Sequence, residues 1–361
     1  MDQLNAAEKA SKKSEKPKNN KLLKVLGIAG TLGGIFLFSY IIYSVGVDEV
    51  AEGVARIGIF GFLFIIFVYF LRICVRAYAW KLSVYEPFSI RMRDTVPAVI
   101  IGEALSSMIP LGILMSGTAK AVAIRKRIPL VAGLSSVATE NLFYSLVTGL
   151  FVSFGAFLFL RNFPIPATWV YLLDATIVVI LILIGLGILM VIRQWHWASW
   201  ICEWFYKHGI FKRFLDSGRL QVRLFENLIY GFYRSHPKRF IPIVLLEILF
   251  HTLGVFEVWF ILSSFDEVTN KITTAFYLET VSRLISIIFK LIPFVIGVDE
   301  AGAELVMTTL GLAAGIGVTV AIVRKGRILF WSALGMLLII RRGFRLSHLK
   351  EIHGELQDGR I

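Results

Sequence analysis

The sequence predicts an all-α polytopic membrane protein, built as an inverted repeat with about six full spans plus two re-entrant helical hairpins. Three observations lead there: an apolar composition too rich for a globule, apolar runs of spanning length, and two apolar runs broken near their middle by Pro and Gly. Of 361 residues, 57% are hydrophobic, 13% aromatic and 17% charged, and the mean hydropathy is +0.73. A soluble domain is about a quarter charged, and a globule of this size cannot hide so much apolar surface. A soluble enzyme, a disulfide-framed secreted module and a disordered protein are thereby excluded. Cys74 and Cys202 form neither a disulfide framework nor a metal-ligand spacing. The net charge of +13 fits cytoplasmic loops and anionic lipid better than nucleic acid.

Residues 1–21 are polar and Lys-rich and are expected to form a disordered cytoplasmic tail; the apolar stretch that follows is too long for a secretory signal. A spanning helix needs about 20 apolar residues, and 22–46, 58–80, 130–160, 168–192, 240–263 and 319–341 supply them. Regions 95–124 and 274–318 differ. The first is interrupted at Ile109–Pro110–Leu111–Gly112, the second at Ile292–Pro293 and Gly297, and both carry charges at membrane depth.

Charge sets the orientation. Segment 193–239 is strongly basic, as are both chain ends, so these are expected inside. The acidic stretches 47–57 (Asp48, Glu49, Glu52) and 264–273 (Asp266, Glu267) are expected to be loops outside. Parity then requires 95–124 to enter and leave on the inner side and 274–318 to do so on the outer side. Each half reads span, span, hairpin, span, with opposite topology. Helix 58–80 maps onto 240–262 at an offset of 182, and Pro110 onto Pro293 at 183. Repeat one is 22–160 and repeat two 168–341. The insertion 194–238 interleaves Trp195, Trp197, Trp200 and Trp204 with basic residues, the pattern of an interfacial amphipathic helix. Residues 343–361 form a second cytoplasmic tail.

Broken helices at matching positions of two inverted halves point to a transport site, because half-helix ends offer free N–H and C=O groups to an anionic headgroup. Several polar residues lie near the breaks. Glu103 is a candidate for a cation or proton, or else a buried carboxylate bonded to Ser106 or Ser107. Lys120 is a candidate for phosphate, or else snorkels to the inner face. Glu140, beside Asn141, is an acid at depth that needs a function or a cationic partner. Arg283 is the strongest candidate headgroup ligand, since guanidinium binds phosphate bidentately; the alternative is a pair with Glu279, four residues away. Lys290 lies in the same hairpin, and Asp299, Glu300 and Glu304 follow its break. Arg324 and Lys325 precede the last span, and a Glu140–Arg324 pair would join the two repeats. A proton could ride on Glu103, Glu140 or Glu300.

Other charges read more plainly. Glu247 and His251 share one helix face by i,i+4 spacing, with Glu257 further along; the expected reading is a satisfied bundle-facing pair, the alternative a proton relay. Arg72 and Arg76 are expected to snorkel, and Asp174 to be wet. The Gly30–Gly34 and Gly311–Gly315 pairs suit close helix packing and permit a homodimer.

The segment Leu291–Ala303, which contains Pro293 and Gly297–Val298–Asp299–Glu300, is followed by Ile322–Val323–Arg324 and an aromatic-rich last span. It resembles the membrane domain of the lysylphosphatidylglycerol synthase family, the flippase-like domain of the multiple peptide resistance factor. In the first half Gly102–Glu103, Ile109–Pro110 and Glu140 resemble the same pattern, so the likeness runs over 22–342. There are departures: the glycine run at the second break is thin, Asn141 stands where the family commonly has Arg, and the Arg and acidic pair is missing after the Gly of the first break. The resemblance implies translocation of a lipid with a phosphate-bearing headgroup: a phospholipid, an aminoacyl-phospholipid or a polyprenyl-phosphate-linked glycolipid.

Catalytic motifs, metal-ligand spacings and a nucleotide-binding loop are absent from the sequence, so no enzyme activity, cofactor or metal is expected. No stretch corresponds to the aminoacyl-transfer domain of the full-length synthases. The expected partners are membrane lipids, in the cell membrane, with both termini cytoplasmic. One alternative is a non-transporting scaffold that presents lipid to a separate glycosyl- or aminoacyl-transferase; another is an intramembrane enzyme with paired carboxylates.

Overall fold

A computed structural model describes residues 39, 40, 43, 47–108, 112–164, 167–208, 212–288 and 296–341. The tails, most of span 22–46, the Gly30–Gly34 pair, Pro110, Lys290 and Pro293 lie outside the described residues. Those described fold into eleven α-helices: α1 (Val47–Leu82), α2 (Met92–Met108), α3 (Gly112–Ala123), α4 (Leu130–Asn162), α5 (Ala167–Arg193), α6 (Trp197–Lys207), α7 (Lys212–Ser235), α8 (Phe240–Leu262), α9 (Lys271–Ile288), α10 (Val298–Thr309) and α11 (Ala314–Arg341).

Among the described residues four helices are long and apolar enough to cross a membrane: α1, α4, α5 from Leu173, and α8 with the short 3-10 turn before it. The most apolar window of α5 is only 6% buried within the protein, and it presents Val178, Val179, Leu181 and Ile182 outward. Soluble monomers do not leave an apolar face of that extent in water; it needs lipid. The last predicted span, 319–341, is helical within α11, whose 28 residues would reach across. It falls short of the four in composition because Arg324, Lys325 and Arg327 sit inside it.

The stretch 47–57 is a helical limb of α1 rather than a loop. Asp48 and Glu49 occupy its first turn, where carboxylates complement the helix dipole. Val50 buries against Val318 of α11. Gly58 (φ 65°) breaks the axis between this limb and 59–82, in a backbone region that disfavours any side chain.

Each broken apolar stretch forms two helices packed side by side, α2 on α3 and α9 on α10. α3 and α10 have 12 residues each, about 18 Å of helix, too short for a hydrocarbon core of about 30 Å. Within α1–α4 and α8–α11 the remaining neighbours are α1 with α2, α4, α8 and α11; α4 with α3, α8 and α9; α8 with α9 and α11; and α11 with α2 and α10. Exchanging α1 with α8, α2 with α9, α3 with α10 and α4 with α11 leaves this set of neighbours unchanged.

The insertion 194–238 becomes two helices, α6 and α7, packed together. Trp197 and Trp200 are exposed, while Phe232 of α7 is buried with Ala79, Phe143 and Ile243. Of the Gly311–Gly315 pair, Gly311 (φ 71°) is a turn residue after α10; only Gly315 makes a close helix contact, against Glu49. The pair is therefore not one helix face.

Two apolar clusters among the described residues are larger than the others. One cluster joins Ile65, Phe159, Ile261, Leu278, Met307 and Val320; the other joins Ile73, Trp80, Ile100, Ile124, Val137 and Trp331. On α11 the charges at 324–327 fall between the stretches that feed the two clusters.

Ser107 on α2 and Ser332 on α11 meet with their hydroxyl oxygens 2.9 Å apart. Cysteines at both positions, with Cys74 and Cys202 replaced by Ser, are expected to form an intramolecular disulfide under mild oxidation, read as a mobility shift on a non-reducing gel. Absence of the shift would contradict the α2–α11 packing.

Candidate functional site

Arg72 and Arg76 are one turn apart on α1, so they point the same way. Rather than snorkelling, both turn into the helix bundle and each meets a different group of acids.

The first group gathers round Arg76. Its Nε donates to Glu140 of α4 at 2.9 Å, Nη1 to Glu103 of α2 at 2.9 Å, and Nη2 to the Asn141 amide oxygen at 3.3 Å. Lys120 of α3 is 2% exposed and reaches Glu140 at 3.8 Å. The Arg76 guanidinium lies over the Tyr144 ring, 4.1 Å from its centroid, a favourable cation–π geometry.

A second group centres on Glu279 of α9 and Glu257 of α8, both fully buried. Glu279 takes Arg283 on its own helix, Arg324 of α11 at 2.8 Å and Arg72 at 3.6 Å. Glu257 takes Arg72 at 3.1 Å and also Arg327 of α11. Arg327 lies 4.1 Å from the Tyr69 ring centroid and Arg72 4.4 Å from that of Phe250. Arg283 donates from Nη1 to the Tyr144 hydroxyl at 3.2 Å. Gly254 makes room for this group: a Cβ there would stand 2.6 Å from Glu279 Oε1 and 3.1 Å from Arg72 Nη2.

At the start of α10, Glu300 accepts from the Gly297 backbone N–H at 2.8 Å and pairs with Lys325 at 2.8 Å. Asp299 accepts from the Ser286 hydroxyl at 2.7 Å and lies 3.7 Å from Lys325.

A cavity of about 1070 Å³ opens against these groups. Arg72, Arg76, Arg283, Arg324 and Arg327 all line it, but of the acids only Glu103 and Asp299 do. Glu140, Glu257, Glu279 and Glu300 stand behind. Glu140, Glu257 and Glu279 hold the guanidiniums in position, and Glu300 holds Lys325, while the face turned to the cavity stays positive. Ile180, Leu183, Ile184, Ile188 and Val191 of α5 add an apolar stretch to the lining.

Of the residues singled out from sequence, Glu103, Lys120 and Glu140 come together in the first group and Arg283 and Arg324 in the second. Asp299 and Glu300 stand with Lys325, and Glu304 takes part in none of these pairs. Arg283 does pair with Glu279, and it lines the cavity as well. Two expectations fail. Glu140 and Arg324 do not pair, because Arg76 and Lys120 take the one and Glu279 the other. The backbone N–H at Gly297 is occupied by Glu300 rather than free. Among the described residues it is side chains that face the cavity with positive charge. Ser107 donates to the backbone carbonyl of Glu103, not to its carboxylate. Asp174 is partly exposed and pairs with Arg161 at 3.1 Å.

Sequence reasoning missed Arg72, Arg76, Arg327 and the rings of Tyr69, Tyr144 and Phe250. The available signal was the number of acids on apolar helices: Glu140, Glu257 and Glu279 each demand a cation at depth.

Gly254→Ala is expected to lower stability by about 1–3 kcal/mol, because its methyl group must displace Glu279 or Arg72. Chemical or thermal unfolding in detergent reads this; unchanged stability would contradict the packing described.

Searches of the curated proteins and of the solved structures each returned no match. A family model described as the lysylphosphatidylglycerol synthase TM region matches residues 24–335, from before α1 to near the end of α11. That stretch holds every element of the cavity, and the protein is a membrane protein that belongs to the lysylphosphatidylglycerol synthase TM region family.

Proposed function

We propose that this protein moves a lipid with a phosphate-bearing headgroup between the leaflets of a cell membrane. The substrate class is a phospholipid, an aminoacyl-phospholipid or a polyprenyl-phosphate-linked glycolipid, and the protein carries out no chemical step on it. One observation carries the reading: five arginines line the cavity while most of their acid partners are withdrawn behind them. Arginine's planar fork matches phosphate oxygens, and charge-assisted bonds of this kind are about twice as strong as neutral ones. The positions of Arg283 and Arg324 are already fixed by Glu279, so little rotamer freedom is lost when an anion arrives.

The apolar wall gives the acyl or polyprenyl chains somewhere to run. α5 packs chiefly against α4, with its outer face toward lipid, so a lipid can keep its tails along α5 while its headgroup enters the cavity.

In this reading the two halves are inverted repeats with about six spans, and α2–α3 and α9–α10 are re-entrant hairpins entering from opposite faces. The exchange-invariant set of helix neighbours supports it. Rocking of one half against the other would expose the arginine-lined cavity to each side in turn. The basic chain ends and the α6–α7 insertion lie on the cytoplasmic side.

The test is reconstitution of the full chain into liposomes that contain a fluorescent phosphatidylglycerol, whose transbilayer movement is followed by chemical quenching of the outer leaflet. The protein is expected to accelerate movement. Arg324→Ala loses a charge-assisted contact, about 1.5–3 kcal/mol, and is expected to weaken retention of co-purified anionic lipid, read by native mass spectrometry, by about 10- to 100-fold. Wild-type protein that moves no lipid but retains it would instead indicate a scaffold that presents lipid to a separate transferase.

A further inference from the structure

Glu247 of α8 stands apart from every ion pair described above. It is fully buried, and neither carboxylate oxygen has a hydrogen-bond partner among the described residues. Its surroundings are charged on several sides. Glu140 of α4, Arg76 of α1 and Lys120 of α3 are all near enough for direct charge–charge interaction. On its own helix, His251 lies one turn away and is tied to the Thr148 hydroxyl at 3.0 Å. The charges of α9, Glu279 and Arg283, together with Arg72 of α1, face His251 and not Glu247.

Counting charge in this pocket exposes an imbalance. Arg76 and Lys120 are two cations. Glu103, Glu140 and Glu247 are three carboxyl groups. Glu140 and Glu103 take the donors of Arg76, and Lys120 turns to Glu140, so both cations are committed. A third buried carboxylate, with no donor of its own and beside the Glu140 carboxyl group, would be an uncompensated charge in a low-dielectric interior, which proteins avoid by neutralising the group. The balance closes if the pocket holds one proton, and Glu247 is the group with no competing partner.

We propose that Glu247 is a proton-binding site coupled to the cavity: it carries a proton in the conformation described, and holds it more firmly when an anionic headgroup in the cavity draws Arg76 away from Glu140. The inference deepens the transport reading and rests on it for the coupling, though not for the proton itself. The cation that links the two is Arg76, which lines the cavity and holds Glu140 at the same time. An anionic headgroup that draws Arg76 toward the cavity withdraws compensation from Glu140, and the pocket then retains its proton more firmly. A headgroup that leaves returns Arg76 to Glu140, and the proton is then held less firmly and exchanges more readily. The proton binds a Glu247 carboxylate oxygen and departs to whichever aqueous side the cavity faces; no other bond is made or broken. The Glu103, Glu140 and Glu300 carboxylates, each considered from sequence as a proton carrier, are all engaged by cations.

Two measurements test it. Infrared spectroscopy of the purified full chain reads the carbonyl stretch of a protonated carboxyl group, which lies apart from the amide band. At neutral pH that band is expected in the wild type and lost in Glu247→Gln. It is expected to weaken in Glu140→Gln, where Arg76 and Lys120 balance an ionised Glu247 without a proton. An unchanged band in Glu247→Gln, or none in the wild type, overturns the proposal whether or not the protein moves lipid. In liposomes, wild-type lipid movement is expected to differ between mildly acid and mildly alkaline buffer, and Glu247→Gln to lose that difference. Lipid movement whose pH dependence survives in Glu247→Gln overturns the coupling and leaves the transport reading standing. No lipid movement by the wild type, with the infrared band present, overturns the transport reading and leaves the proton site.

Discussion

Guanidinium groups held deep in an apolar bundle by acids from neighbouring helices are the constraint on which the rest of this structure depends. Breaking such a pair by removing one partner costs about 3–5 kcal/mol, because the remaining charge is stranded away from water. Glu279 takes Arg72, Arg283 and Arg324, so it fastens α1 and α11 to α9 with one carboxylate. Glu257 fastens α1 and α11 to α8 in the same way. Two apolar clusters, through Ile65 and Val320 on one side and Trp80 and Trp331 on the other, exclude water around this charged layer and strengthen each of its interactions.

This arrangement also explains how one cavity can suit an amphiphile. Arginines whose counter-charges stand behind them present positive charge without being free to wander. In the same lining, α5 offers branched apolar side chains that need no polar partner. A headgroup and its tails would meet surfaces of opposite character within one volume of about 1070 Å³, and neither surface must be rebuilt to accept them. Aromatic rings complete the arginine wall: Tyr144, Phe250 and Tyr69 lie against guanidinium faces, where a ring attracts a cation without competing for the donors that phosphate would use.

Much of the fold was legible from apolar run lengths and from Pro and Gly at two matching places. Helices α4, α5 and α8 and the separation of α2 from α3 and of α9 from α10 follow from those signals alone. The limb 47–57 was not legible, because three acids in eleven residues look like a wet loop until Asp48 and Glu49 are placed in a helix's first turn and Val50 against Val318. The site was half legible. Acids and bases on apolar helices announce themselves, so Glu103, Glu140, Arg283 and Arg324 stood out. Other cations that serve the acids did not, since a residue near a helix end, such as Arg72, can reach water or turn inward with equal ease on sequence grounds. Which it does depends on Glu257 and Glu279, some two hundred residues along the chain. The expected role for open backbone ends gave way for a similar reason: Glu300, three residues into α10, satisfies Gly297 itself.

The measurement that bears most directly on the central claim is a cryo-electron microscopy structure of the full chain in nanodiscs containing phosphatidylglycerol. The account predicts a headgroup phosphate within about 3 Å of the Arg283 and Arg324 guanidiniums, the distance of charge-assisted hydrogen bonds, with acyl density along α5. A headgroup seated elsewhere, with these arginines turned only to Glu279 and no lipid against α5, would contradict it.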